Sequence, residues 1–181
     1  HQDPDIVASI NRWMNGTKCK LVCPEIWERF IPHFSRAGQM ENRIISIPDR
    51  GMDIPLGNTI IKAIPAHFLH SEGNFQFYDP LSKILFSGDM GANLTHENLD
   101  QPFSSLEEAI PTMKGFHQRY MNSNKVCRYW ANMVRTLDVQ WMVPQHGRSF
   151  KGAKMVNAFL DWIEALPCGL DLMSQNDYRV R

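Results

Sequence analysis

The sequence has no apolar run approaching the roughly 20 residues that a membrane-spanning helix needs, so no such span is expected. An excess of one charge is also missing: Lys plus Arg and Asp plus Glu each number 19. No overall positive field therefore draws nucleic acid or an anionic membrane surface, and neither is expected as a partner. Cysteine is sparse, and Cys19, Cys23, Cys127 and Cys168 do not form the dense framework of a small secreted domain. That points to a reducing compartment, with the cytoplasm as the expected location. The two cysteines of CKLVC lack a second pair and the CxxC spacing of a zinc ribbon or rubredoxin, so they read as strand residues rather than a metal or redox pair. Glycine and proline number 11 each, and 43% of residues are hydrophobic, which excludes collagen-like and disordered classes and supplies a sizeable core. With no repeat, low-complexity tract or linker, residues 1–181 are expected to form one domain.

What is present alternates between helical and extended patterns. DIVASINRWMN reads as a short amphipathic helix closed by the turn at Asn15 and Gly16, with TKCKLVC as a strand after it. PEIWERFIPHF carries proline and glutamate at helix-start positions and is expected to be helical. RIISIPD, NTIIKAIPA, NFQFYDP and KILFSGD then read as a meander of short strands. SSLEEAIPTMKGFHQRYM and NSNKVCRYWANMVRTL are helical patterns, VQWMVP a strand, and KGAKMVNAFLDWIEAL a closing amphipathic helix. The class is therefore mixed α/β (α+β), with helices able to cover the outer face of a sheet.

Chemistry-bearing residues gather at particular places in this pattern. The chain opens HQDPDI, with His1, Asp3 and Asp5 at alternate positions. His70 follows the run TIIKAIPA, Asp89 ends KILFSGD, and His146 follows VQWMVP, so each lies in a loop beyond a strand, where rigid elements position site residues. Three imidazoles and three carboxylates are enough for two metal ions, and Asp89 could give one oxygen to each. An oxygen-rich set with imidazole and no thiolate favours iron or manganese over copper(I), while zinc stays open. Taken singly, each histidine reads as a hydrogen-bonded structural residue and Asp89 as a turn cap. His67 competes with His70, whereas His33, His96 and His117 read as surface or packing residues.

HQDPD, HFLHSEGNF, KILFSGDMGA, YMNSNKVCRYW and PQHG, in this order and spacing, resemble the metallo-β-lactamase-like di-iron domain of flavodiiron proteins, and more closely the stand-alone oxygen-binding di-iron proteins. The resemblance runs across essentially the whole chain and implies an αββα sandwich. It maps the family pattern HxExD onto His1, Asp3 and Asp5, the next histidine onto His70, the bridging carboxylate onto Asp89 and the last histidine onto His146. It implies that His1, Asp3 and His70 hold one iron and Asp5 and His146 the other, with Asp89 shared. Tyr120 and Asn124 belong to the resembling stretch, with no direct ligand role given by spacing and packing against the site from a helix as the alternative.

Two departures shape the functional expectation. The family often continues HxExDH, but Ile6 stands where that last histidine would be, leaving fewer protein ligands and an apolar neighbour that suits a small uncharged ligand. No phosphate-cradling loop and no rubredoxin cysteine set appear, so no flavin is expected on this chain. The resemblance implies a di-iron protein that binds dioxygen as a sensor in signalling or chemotaxis, with a signalling or redox protein as partner and a homodimer left open. One alternative is an O2 or NO reductase fed by a separate redox partner. Another is a di-zinc hydrolase, against which Asp3 argues, since zinc hydrolases usually carry histidine there. In β-lactamase-like proteins strands precede the first metal motif, so further N-terminal residues are expected upstream of His1 in the natural protein.

Overall fold

The computed structural model describes residues 3–36 and 38–180. DIVASINRWMN is helical, but as two pieces, α1 (Pro4–Val7) and α2 (Ile10–Gly16), parted at Ala8 and Ser9. Proline at the first position of α1 has its φ pre-set for a helix and loses no needed donor there. Strand β1 (Leu21–Pro24) follows and contains Cys23, while Cys19 lies just ahead of it. All four cysteines are free thiols, and the buried Cys127 and Cys168 sulfurs stand 3.7 Å apart.

PEIWERFIPHF departs from expectation. It forms two 3-10 turns, Glu25–Trp27 and Ile31–Phe34, rather than an α-helix. Pro32 explains the break: it has no N–H to return to the Glu28 carbonyl, and its ring would collide with that carbonyl in a continuous α-helix.

β2 (Ile44–Ile47) also departs from the expected meander, because it pairs in parallel with β1 as a separate two-stranded sheet. The next strand, β3 (Met52–Leu56), is not among the strands expected from the sequence, and it carries Pro55, which weakens a strand pattern. Proline is tolerated there because β3 is an edge strand, paired only with β4 (Thr59–Pro65). β5 (Phe75–Asp79) and β6 (Ile84–Gly88) continue the antiparallel run. After α3 (Leu106–Tyr120) and α4 (Asn124–Val134), β7 (Trp141–Pro144) joins parallel to β6, and β8 (Phe150–Lys151) closes the far edge ahead of α5 (Ala153–Ala165). The sheet order is β3-β4-β5-β6-β7-β8.

Burial periodicity stacks these elements in layers. Val156, Phe159, Leu160 and Ile163 make one apolar stripe along α5. With Met113 of α3 and Trp130 of α4 they pack on Leu85, Met142 and Phe150 of the large sheet. The alternation along β5 sends Tyr78 into this core and Phe75 to the other face, where Phe75 meets Ile47 of β2 and Val22 of β1. Cys23 and Leu21, pointing oppositely from Val22, pack with Val7, Ile10 and Met14 of α1 and α2. The layers run helix, small sheet, large sheet, helix, the αββα arrangement expected from the sequence.

Candidate metal centre

Strand direction decides where the site lies. β4 and β6 each run antiparallel to β5, and β7 runs parallel to β6, so all three end on the same edge of the sheet. The loops after them carry His70, Asp89 and His146. Across that edge lies α1, with Asp3 at its N-cap and Asp5 in its first turn.

Each loop is fixed by its own hydrogen bonds. After β4, Leu69 N–H donates to Ala66 O at 3.0 Å and Phe68 N–H to Ser71 O at 2.7 Å, a tight turn that delivers His70. The Asn74 carboxamide also donates to Leu69 O in this turn. After β6, the Ser87 hydroxyl donates to Met90 O at 2.6 Å, and Gly91 N–H donates to His117 Nε2 at 2.9 Å. Gly91 has φ +92, and a Cβ there would stand 3.0 Å from Met142 Cε, so a side chain at this position would be strained and crowded. After β7, Gln145 N–H donates to Gly88 O at 2.8 Å, tying the His146 loop to the end of β6.

The resulting geometry divides in two around Asp89. His70 Nε2 lies 3.1 Å from Asp3 Oδ2 and 3.1 Å from Asp89 Oδ2. His146 Nε2 lies 3.0 Å from Asp5 Oδ2 and 3.9 Å from Asp89 Oδ1. The buried Asp89 carboxylate thus turns one oxygen toward each histidine. The donor atoms of Asp3, His70 and Asp89 all fall within 4.8 Å of one another. Five of the six residues singled out from the sequence come together. The sixth, His1, lies outside the described residues.

This donor set fits bound cations. Three carboxylates converge on two imidazoles, and with neutral histidines the cluster carries three negative charges at a partly buried position, an arrangement that metal ions neutralise. The donor atoms of Asp3, His70 and Asp89 are close enough together to share one ion. Oxygen and nitrogen donors without thiolate suit iron, manganese or zinc.

The remaining histidines are elsewhere. His67 Nε2 lies 2.8 Å from Asp49 O and the ring stands edge-on to Phe75, so it is directed away from the cluster. His33 and His96 are exposed. His117 is a packing residue with a further role. It is fully buried, and burial pushes its pKa down to about 4, so the ring is neutral and accepts from Gly91 N–H. Nδ1 lies 2.8 Å from Met113 O, to which it donates in that tautomer. Tyr120 packs against His70 with ring centroids 5.6 Å apart, whereas Asn124 spends its carboxamide on the carbonyls of Glu164 and Leu166 at the end of α5.

Gln145 was not singled out from the sequence. Its carboxamide donates to Asp5 Oδ2 at 2.7 Å, beside the His146 contact. Adjacency to His146 in PQHG was the available signal. Gln145 also lines a recess of about 240 Å³ with Ile6, Phe75, Phe77, Phe86 and Val143. Ile6 therefore supplies an apolar wall next to Asp5 and Gln145.

A layered αββα fold with histidine and aspartate loops on one sheet edge is the metallo-β-lactamase-like arrangement. The chain belongs to the family described as ODP family beta lactamase, which matches residues 1–147. A solved structure of a peroxy diiron species of the chemotaxis sensor ODP is 41% identical, with a TM-score of 0.86, over 94% of this chain and 70% of that chain. The apo state of the chemotaxis sensor ODP from T. denticola is 40% identical, with a TM-score of 0.88, over 99% of this chain and 71% of that chain. Rubredoxin oxygen:oxidoreductase from the anaerobe Desulfovibrio gigas is 14% identical over 91% of this chain and 41% of that chain, and its TM-score of 0.73 shows a shared fold. No curated protein matches the chain.

Proposed function

We propose that residues 1–181 act as a single di-iron domain that binds dioxygen and reports it to a signalling protein. The observation that carries this reading is the Asp89 carboxylate, buried and turned with one oxygen toward His70 and the other toward His146. Asp3, His70 and Asp89 would hold one ion and Asp5, His146 and Asp89 the other, with His1 completing the first set as the family pattern implies. Two iron(II) ions, if bound there, would supply two one-electron donors side by side, the capacity that reductive dioxygen binding needs.

The chain's own residues perform the rest. Asp89 couples the two positions, and its burial keeps competing water from the shared carboxylate. Gln145 orients Asp5 through its 2.7 Å hydrogen bond. Ile6 offers no donor atom and walls an apolar recess, which admits a small uncharged ligand and disfavours an anionic substrate. His117 keeps the Asp89 turn in place from the protein core. Sparse, scattered cysteines suit a reducing compartment such as the cytoplasm. A chemotaxis-type signalling protein is the partner class, following the sensors to which the chain is about 40% identical.

Metal analysis and optical spectra before and after oxygen, on anaerobically purified protein, test this reading. Two iron ions per chain, a new visible band on exposure to oxygen and a single stoichiometric uptake are expected. Two zinc ions with no band would sink it in favour of a hydrolase, and sustained O2 or NO consumption with a flavoprotein donor would replace it with a reductase.

A further inference from the structure

Asn93, four residues past Asp89, uses nearly all of its hydrogen-bonding capacity between two loops. Nδ2 donates to Gly91 O and to Arg148 O, each at 2.9 Å. Oδ1 accepts from Arg148 N–H at 2.9 Å and from the Thr95 hydroxyl. Its backbone N–H donates to His146 O at 3.2 Å. The residue is buried, and a Cβ added at Gly147 would overlap its carboxamide, so the His146 loop lies directly against it. One side chain therefore fastens the loop of Asp89 to the loop of His146.

Removal of the carboxamide would bear on the two loops differently. Asp89 has independent support, because His117 takes Gly91 N–H and Ser87 closes the turn onto Met90 O. On the other side, Gln145 N–H to Gly88 O, the Asn93 backbone N–H to His146 O and the Arg148 guanidinium bonds to Gln101 O and Pro102 O do not depend on the carboxamide, but both the N–H and the carbonyl of Arg148, two residues past His146, pair with it. Losing the carboxamide would leave Arg148 N–H and O buried and unpaired, and the loop would shift to find partners. The shift would reach His146 through Arg148, two residues on, whereas His70 belongs to the separate loop after β4.

We propose that Asn93 is a positioning residue that sets the separation of the two metal positions, acting through the His146 loop rather than by contact with an ion. This rests on the dinuclear reading given above. The expectation is selective: removing the side chain weakens the His146 position and spares the His70 position.

Anaerobic titration of the metal-free protein with cobalt(II), followed by its visible absorption, reads the two positions separately. Wild type is expected to take two equivalents. Asn93→Ala is expected to bind the first equivalent within about threefold of wild type and the second at least about tenfold more weakly, the range seen when groups orienting metal ligands are removed. A purely structural role would weaken both positions alike, and that result, or an unchanged second affinity, overturns the proposal. If circular dichroism shows that Asn93→Ala has lost its fold, Thr95→Val decides instead. It deletes one hydroxyl from Oδ1 and is expected to weaken only the second equivalent, by about two- to fivefold, a fraction of the orienting effect. No selective change in that variant overturns the proposal. Failure of wild type to take two equivalents is a different result, which removes the dinuclear reading itself.

Discussion

Gly91 N–H donates to His117 Nε2 at 2.9 Å in the protein core, so α3, the next element along the chain, holds the turn that carries Asp89. That bond requires a neutral imidazole with Nδ1 protonated toward Met113 O. Burial enforces the neutral form by lowering the His117 pKa from 6.5 to about 4.

The stability of the metal-free protein should therefore depend on pH through His117. The unfolded chain takes up the proton near the ordinary value of 6.5, whereas the folded chain resists it until about 4. The contribution is complete above 6.5, falls as pH drops through this window, and levels off below about 4. Its upper size is about 3 kcal/mol, from about 1.4 kcal/mol per pH unit. Urea denaturation at several pH values should show a shallower slope for His117→Gln between pH 6.5 and 4 than for wild type.

Asp89→Asn should abolish paired metal binding. The variant keeps the shape of the side chain but removes the negative charge turned toward both His70 and His146. Metal content by elemental analysis is expected to fall from two ions to fewer than one per chain, with circular dichroism unchanged. Retention of two tightly held ions would show that Asp89 is not shared.

Gln145→Ala isolates the orientation of Asp5. Gln145 is exposed, so truncation leaves the core intact, but Asp5 Oδ2 loses its 2.7 Å donor. The second metal equivalent should weaken by about tenfold, the lower end of effects from groups that orient ligands, while the melting temperature of the metal-free protein stays within about a degree.

Gly147→Ala should be costly without touching a side chain that binds metal. Gly147 has φ +82, and a Cβ there would overlap Asn93. Strain at positive φ and overpacking together predict a loss of about 2–4 kcal/mol in urea denaturation.

The pattern of strand ends was legible in the sequence because His70, Asp89 and His146 each follow an apolar run whose length and bounds mark a strand. Other features depended on contacts distant along the chain. β2 reads like any strand of a meander, and nothing local says that it pairs in parallel with β1. In PEIWERFIPHF the start signals of Pro24 and Glu25 mark a helix, but Pro32 interrupts it a few residues later. Nothing local marks Asn93, because its partner Arg148 lies 55 residues away. Gln145 is close to His146 in sequence, but its role requires α1 to lie across the sheet edge, which no local pattern encodes.

Asp3 and Asp5 ride on α1, whose Val7 packs within the outer helical layer and the small sheet, whereas His70, Asp89 and His146 belong to loops of the large sheet. Any cation held among them works as a rivet through two layers of the sandwich. Loading and unloading of the centre would then be felt mechanically along α1 and α2, so an event at the metal would reach the outer surface as a change in how firmly that layer is seated.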